Sequence, residues 1–255
     1  MSARQDRRDK IASLAVQIGF VVAVIGLWYF GTAYWGISRI LLPNPVNVWT
    51  ELKDVIGSGE FLPDLRVTLT ELAVAFCISC TAGVTVGYLI SRSPYLIKVF
   101  EPLLAGFYSV PIILFLPLYV LFFGLGPGSK IALGTTISFF PIVLNTIAGF
   151  GYVDKIFITA ARSMGASNFQ MFRYVLLPAA LPVMLTGLRI GFTVALLSIL
   201  GSETIASLEG LGHRIVHLAE AMETARMFAY IAFAVVIAAT LNSIVSSLER
   251  RAKRR

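Results

Sequence analysis

Charge is what this sequence has least of. Only 14% of its 255 residues are Asp, Glu, Lys or Arg, where a soluble domain carries about a quarter. That excludes an ordinary water-exposed globular surface and indicates an integral membrane protein. Cysteine and histidine are nearly missing too. Two of each supply neither a disulfide framework nor a Cys/His metal cluster. The pattern G-x-x-x-x-G-K-[ST] does not occur, so no Walker cradle for nucleotide phosphates is encoded. No Ser/His/Asp or Cys/His set falls within the apolar stretches, and no internal repeat of convincing length runs through the chain in either sense.

Long apolar runs are what the chain does have. Hydrophobic residues make up 57% of it, and the mean hydropathy is +0.81. A span needs about 20 apolar residues, and six stretches qualify: Ile11–Tyr34, Leu65–Ser91, Val99–Phe123, Ile131–Phe150, Ala179–Ser202 and Met227–Leu248. The expected fold class is therefore all-α and integral to the membrane, with six transmembrane helices. Met1–Lys10 followed by an apolar run has the outline of a signal peptide. The run is long enough to span and no small-residue cleavage site ends it, so it reads as an uncleaved first helix. The third span carries Pro102, Pro111 and Pro117, which predict kinks and freed carbonyls.

The net charge of +7 does not point to nucleic acid, because the basic residues are spread between spans and at the ends. Arg4, Arg7, Arg8 and Lys10 precede the first span, and Arg250, Arg251, Lys253, Arg254 and Arg255 follow the last. Arg92 and Lys98, then Lys155, Arg162 and Arg173, occupy the second and fourth connections. The opposite side holds fewer: Arg39, Lys53, Arg66, Lys130, Arg214 and Arg226. Positive charge collects in the cytoplasm, which places both termini and the fourth connection there. Residues 1–10 are then a basic cytoplasmic N-terminus, 11–248 the six-helix domain with a cytoplasmic loop at 154–178, and 249–255 a basic tail. Outside, Trp28, Tyr34 and Trp35 fit an aromatic belt, and Val46–Ile56 reads as a short amphipathic helix. Phe123–Lys130, rich in glycine, reads as a tight external turn.

The most regular polar stretch is Thr159–Pro178, TAARSMGASNFQMFRYVLLP. Ala160-Ala161 suits close packing, Gly165 can end a helix, and Pro178 is expected to stop the next one. Ser167 stands three residues before Gln170, the spacing of a capping box. It would open a short helix whose Phe169, Met171, Phe172 and Val175 are too apolar to lie simply in water. Such a helix is an interfacial anchor or a knob for a partner's groove.

These residues resemble a known family. Ala160-Ala161, Gly165, Val175, Leu177 and Pro178 fall where the EAA loop of ABC-importer permeases has Ala-Ala, Gly, Ile, Leu and Pro, although the usual opening Glu is Thr159. LLPNPVNVW (Leu41–Trp49) and FFPIVLNT (Phe139–Thr146) resemble the nitrate/sulfonate/taurine subgroup. Gly187-Leu188-Arg189, and Glu203 ahead of Gly210-Leu211-Gly212, match further family positions. The resemblance implies a type I importer permease. It would work with a second permease copy in a homodimer, two cytoplasmic ATPase subunits and an external binding protein, surrounded by membrane lipid. ATP and Mg would sit in the partner ATPase, no cofactor would be bound by this chain, and the chain itself would not be an enzyme. The coupling contact would fall on Ala160, Ala161, Gly165, Ala166, Ser167, Phe169, Gln170, Phe172 and Pro178. The cargo would be a small anion such as nitrate, a sulfonate, taurine or a related organic acid. A thiamine-precursor pyrimidine is the alternative, and an ion-coupled secondary transporter is the competing machine.

Three residues are candidates for the translocation path: Asn145, Arg189 and Glu203. Asn145 is suited to helix-to-helix hydrogen bonding as well as to cargo. Arg189 lies about eleven residues, roughly 16 Å, beyond Pro178 on an ideal helix. Its charge must pair, snorkel or face water; carbonyls freed by the third-span prolines are the favoured acceptors, and an aqueous vestibule open to the cytoplasm is the alternative. His213, His217 and Glu220 share a helical face, a spacing a metal accepts, but lack a fourth ligand; a solvated face is the simpler reading. Cys77 and Cys80 lie within an apolar run and read as small packing residues rather than a redox pair.

Overall fold

The computed structural model describes residues 3–34, 38 and 40–253. Trp35, Arg39, Arg254 and Arg255 lie outside the described residues, as do the side chains of Arg4, Arg7, Arg8, Lys10 and Lys253. Among the described residues the chain is helical and has no strand. Five helices are long and apolar enough to cross a membrane: Ala15–Tyr34, Phe61–Ser91, Pro127–Gly151, Asn168–Ile205 and Thr224–Ala252. A bent pair, Pro94–Tyr108 with Ile112–Phe123 at 73° to one another, passes the same test only as a unit, and the crossings number six where the pair counts as one span.

That bent pair is the proline-rich third stretch, which breaks rather than kinks. Helix α4 (Pro94–Tyr108) absorbs Pro102, but the helix stops short of Pro111, and a 3₁₀ turn (Ile112–Phe115) leads into α5 (Leu116–Phe123). Proline disfavours the helical conformation in the residue before it and offers no N–H to the preceding turn. Val110 and Pro111 therefore leave the helical path, and Pro117 is tolerated because it sits in the first turn of α5.

The chain divides into two compact units. One comprises Met1–Phe61 and Ile215–Phe233. It contains α1 (Ala3–Tyr34) and the expected short helix, α2 (Pro45–Ser58). The Asn44 side chain accepts from Val46 N at 2.9 Å to cap α2, and Gly59 at φ 73° ends it. Trp28 Nε1 donates to Pro43 O at 3.0 Å, and its ring stands 5.8 Å from that of Phe228. An ion pair joins Arg226 to Glu60.

The second unit comprises Leu62–Arg214 and Ala234–Arg255. Its central element is α6 (Pro127–Gly151), flanked by α3 (Phe61–Ser91) and α9 (Leu177–Ile205). Glycines four apart let the flanking backbones approach closely. A Cβ on Gly83 or Gly87 of α3 would lie 2.8 Å from Ile142 Cγ2 or 2.6 Å from Thr146 Cβ of α6. One on Gly187 of α9 would lie 2.4 Å from Asn145 Cβ, and one on Gly191 2.7 Å from Ile142 Cγ1. In a bilayer, helices associate through such close van der Waals packing, because lipid is as apolar as leucine. Around this seam Leu72, Ala75, Ala195, Leu196 and Ile199 are buried together, as are Ile90, Ile97, Val143 and Ile147. Lys130, expected on the external surface, is instead fully buried. Its ammonium folds back onto the carbonyls of Leu125 and Gly126, the turn that precedes its own helix. Cys77 and Cys80 are free thiols.

Gly187→Ala should therefore destabilise the protein by about 1–3 kcal/mol, the cost of overpacking a tight contact. Gly26→Ala, where nothing lies within 4 Å, should be near-neutral. Thermal melting of both variants in detergent checks the difference.

Candidate functional site

The connection between α6 and α9 is built from two capped helices. Asp154 opens α7 (Lys155–Ser163) by accepting from Ile156 N at 2.9 Å. Gly165 closes it in the left-handed conformation, φ +75°. Gly165 N donates to Arg162 O at 2.9 Å, and Ala166 N to Ala161 O at 3.1 Å. This pair is the Schellman pattern, which satisfies carbonyls the helix end would leave bare. Ala161 is buried, whereas Ala160 is exposed.

The predicted capping box is present. Gln170 N donates to Ser167 Oγ at 3.3 Å, and Ser167 N to Gln170 Oε1 at 2.8 Å, opening α8 (Asn168–Met171). With both sides of Gly165–Ser167 capped, the turn is held by backbone bonds on one side and by the Ser167 and Gln170 side chains on the other, none of which depends on its apolar side chains. Those side chains are free to face outward. Phe169 is 70% exposed and Met164 80%, and Tyr174, Ile156 and Phe157 are exposed around them.

Two expectations about this segment change. Phe172, grouped with Phe169 as an outward anchor, points inward. Its ring lies 5.3 Å from Tyr88 and 6.0 Å from Phe150, which are 5.0 Å from each other. Hydrophobic burial against α3 and α6 outweighs exposure for that residue, and Met171 is buried beside it. Pro178 does not stop a helix. The chain runs as one helix from Asn168 to Ile205 because Phe172–Leu176 forms a π-helical turn just ahead of the proline. Proline clashes with the carbonyl four residues back, and the wider π turn gives that clash room.

The path candidates are placed as follows. Asn145 Nδ2 donates to Pro141 O on its own helix at 2.8 Å, and its Cβ packs against Gly187 of α9. Arg189 does not reach the third-span prolines. Its Nε lies 2.7 Å from Glu249 Oε2 on α11 (Thr224–Lys253), and Thr186 Oγ1 donates to Glu249 Oε1 at 3.1 Å. A full negative charge attracts a guanidinium more strongly than the partial charges of scattered carbonyls do. Glu249 had been counted with the basic tail, yet it is buried in the last helix.

Glu203 is buried and acts as a clamp. It accepts from Thr68 Oγ1 at 2.7 Å and from Gly212 N at 2.8 Å, while Leu211 N donates to Thr68 Oγ1 at 3.0 Å. It therefore ties the end of α9 to α3 and to the start of α10 (Leu211–Glu220). Gly210, at φ +103°, has to be glycine: a Cβ would lie 2.4 Å from Glu203 Oε1. Glu71 and Lys130, both buried and within electrostatic reach of Glu203, complete this cluster. The sequence placed Lys130 on the external side, and Glu71, an acid six residues inside an apolar run, carried the available signal of a buried charge. Among the described residues no group of three or more His, Cys, Asp or Glu could hold a metal.

Residues 79–255 match the family described as the binding-protein-dependent transport system inner membrane component. The chain belongs to this family. Among similar proteins, the taurine transport system permease protein of Escherichia coli K12 is 32% identical over 243 residues, 93% of this chain and 88% of that one. A putative aliphatic sulfonates transport permease protein of Bacillus subtilis is 31% identical, over 89% of this chain and 83% of its own. The formylaminopyrimidine transport permease protein of Halalkalibacterium halodurans is 28% identical, covering 76% and 77%. The fold is shared with a chain of an inward-facing methionine ABC transporter, at TM-score 0.61 and 21% identity over 73% of this chain and 93% of that one.

This binding-protein-dependent permease is thus a multi-pass inner-membrane subunit of an ATP-driven importer. It is not an enzyme; ATP hydrolysis resides in a separate subunit, and an ATPase and a substrate-binding protein are its partners. The ion-coupled carrier is set aside.

The Arg189–Glu249 pair predicts a specific stability pattern. Arg189→Gln should cost more than the double change Arg189→Gln/Glu249→Gln, because the single change removes the opposite charge from beside a buried carboxylate. A double-mutant cycle in chemical or thermal denaturation should return a coupling of about 0.5–3 kcal/mol.

Proposed function

We propose that this permease couples to its ATPase through the α7–α8 turn and carries a small solute bearing a sulfonate group, such as taurine. The single observation behind the coupling role is the doubly capped Gly165–Ser167 turn carrying Phe169 and Met164 in the open. A rigid turn with large exposed apolar side chains suits a partner's groove. The contact set is Ala160, Ala161, Gly165, Ala166, Ser167, Phe169, Gln170 and Pro178, with Phe172 serving from behind. Its ring links the turn to α3 and α6, so a push on Phe169 is passed to the bundle.

The charge distribution supports a cytoplasmic position for this turn and for both termini. ATP and Mg would be bound by two ATPase subunits and none by this chain, with a second permease copy forming the path between the pair. Closing the ATPases would draw the two turns together and reorient the spans. The sulfonate assignment rests on the taurine and aliphatic sulfonate relatives. The formylaminopyrimidine relative supports the second cargo class, a thiamine-precursor pyrimidine.

ATP-dependent uptake of radiolabelled taurine against formylaminopyrimidine, with the partner ATPase and binding protein present, tests the cargo. Gly165→Leu, forced into φ +75°, and Phe169→Ser should each leave membrane insertion unchanged. Both should lower ATPase capture and uptake on the order of tenfold or more, the weight of a buried aromatic anchor. Capture at the wild-type level by inserted Phe169→Ser would overturn the coupling role. Reporter fusions after Lys10 and Arg92 should score cytoplasmic, and those near Gly57 and Gly212 external.

A further inference from the structure

Behind the coupling turn lies a cavity of about 460 Å³ that the coupling role does not use. Its volume falls in the range of small-molecule sites, about 300–1,000 Å³. Tyr88, Phe150 and Phe172 give it an aromatic floor, and Arg92, Lys155 and Arg162 stand around it. No carboxylate lines it. The two nearest acids by sequence are engaged elsewhere: Asp154 caps α7, and Glu101 accepts from Tyr152 Oη at 2.9 Å.

Three cations around one concavity repel one another and set up a positive potential that an anion relieves. Two of the three are arginines, whose planar forks match phosphate oxygens two at a time. The cavity also lies where Ser91 ends α3 and Gly151 ends α6, the level at which a lipid's charged head meets its apolar body. An apolar floor beneath a cationic rim fits an amphiphile better than a free ion.

From this charge complementarity we infer that the cavity binds the headgroup of an anionic phospholipid. The phosphate takes Arg92, Lys155 and Arg162, and the glycerol region lies on the aromatic floor. The inference rests on the cytoplasmic placement of this end proposed above, since basic pockets at cytoplasmic helix ends meet anionic headgroups there. The bound lipid would stiffen the join between α7, α3 and α6, so lipid composition would tune coupling.

The test uses the full chain in nanodiscs, without ATPase, binding protein or transport. Wild type should retain phosphatidylglycerol or cardiolipin in native mass spectrometry. Its melting temperature should rise by about 2–4 °C when phosphatidylcholine discs are enriched in phosphatidylglycerol, the stabilisation expected of a ligand bound only to the folded state. Arg92→Gln/Lys155→Gln/Arg162→Gln should lose both effects, whereas Lys98→Gln, outside the cavity, should keep them. Should the triple variant insert poorly, Arg92→Gln alone should weaken lipid retention several-fold. Lipid retention by the triple variant equal to wild type overturns the proposal, and so does an equal melting shift from inorganic phosphate alone. Undiminished retention by the triple variant, with capture lost in the separate ATPase pull-down described above, would overturn the lipid site and assign the three cations to the ATPase interface instead. Failure of taurine uptake with lipid retention intact would bear on the cargo alone, and an external reporter signal after Arg92 on the orientation.

Discussion

Everything in the larger unit depends on how closely α3 and α9 can approach α6. Water supplies no driving force between helices already inside a bilayer, so contact has to come from dispersion, which falls off steeply with distance. Gly83 and Gly87 on one side, with Gly187 and Gly191 on the other, remove the side chains that would hold the backbones apart. Ile142 meets glycines from both neighbours, so one β-branched residue fixes α6 between them. Gly149 extends the seam: a Cβ there would lie 2.9 Å from Ala180 O of α9. A helix held this way on two faces moves as a body with its neighbours. That is what the proposed coupling through the α7–α8 turn would need.

The turn is attached to that body through rings rather than through glycines. Tyr88 from α3, Phe150 from α6 and Phe172 at the start of the last turn before α9 meet edge-on and stacked. Aromatic contacts tolerate small reorientations that an interlocked glycine seam does not. The π turn at Phe172–Leu176 lies in the same place. π-helical turns are rare and concentrate at functional sites, and this one lets a continuous helix pass a proline. The rigid parts, capped turn and glycine seam, are thus separated by one wider turn with an aromatic joint.

Much of this was legible in residue spacing, and the misses share a cause. Ser167 with Gln170, Gly165 and Asn44 each act within a few residues of themselves, and each forms the cap its chemistry dictates. Hydropathy located the spans, because lipid tests each segment by itself. What spacing could not show was the partner across space. Arg189 and Glu249 are 60 residues apart, and Phe172 faces inward only because Tyr88 and Phe150 wait there. Lys130 and Glu71 were legible as charges but not as buried ones. The Gly83/Gly87 and Gly187/Gly191 pairs were visible all along as small residues four apart, the recurrent signature of close helix contact.

The polar residues along α9 and α11 carry a further consequence. Arg189 meets Glu249, while Thr193 Oγ1 donates to Asn242 Oδ1 at 3.1 Å. Position rises on α9 as it falls on α11, so the two helices run antiparallel. Four residues of α9 advance about 6 Å and seven of α11 about 10 Å, and the long Arg and Glu arms take up the difference. Any slide by one turn would leave the Glu249 carboxylate without its guanidinium in a medium that offers no water. The cost of that misplacement exceeds what the pair adds in place, because an intact pair must first repay the desolvation of both charges, whereas a broken one gets no such repayment. The pair is therefore better understood as fixing the register of α11 on α9 than as adding to the stability of the fold.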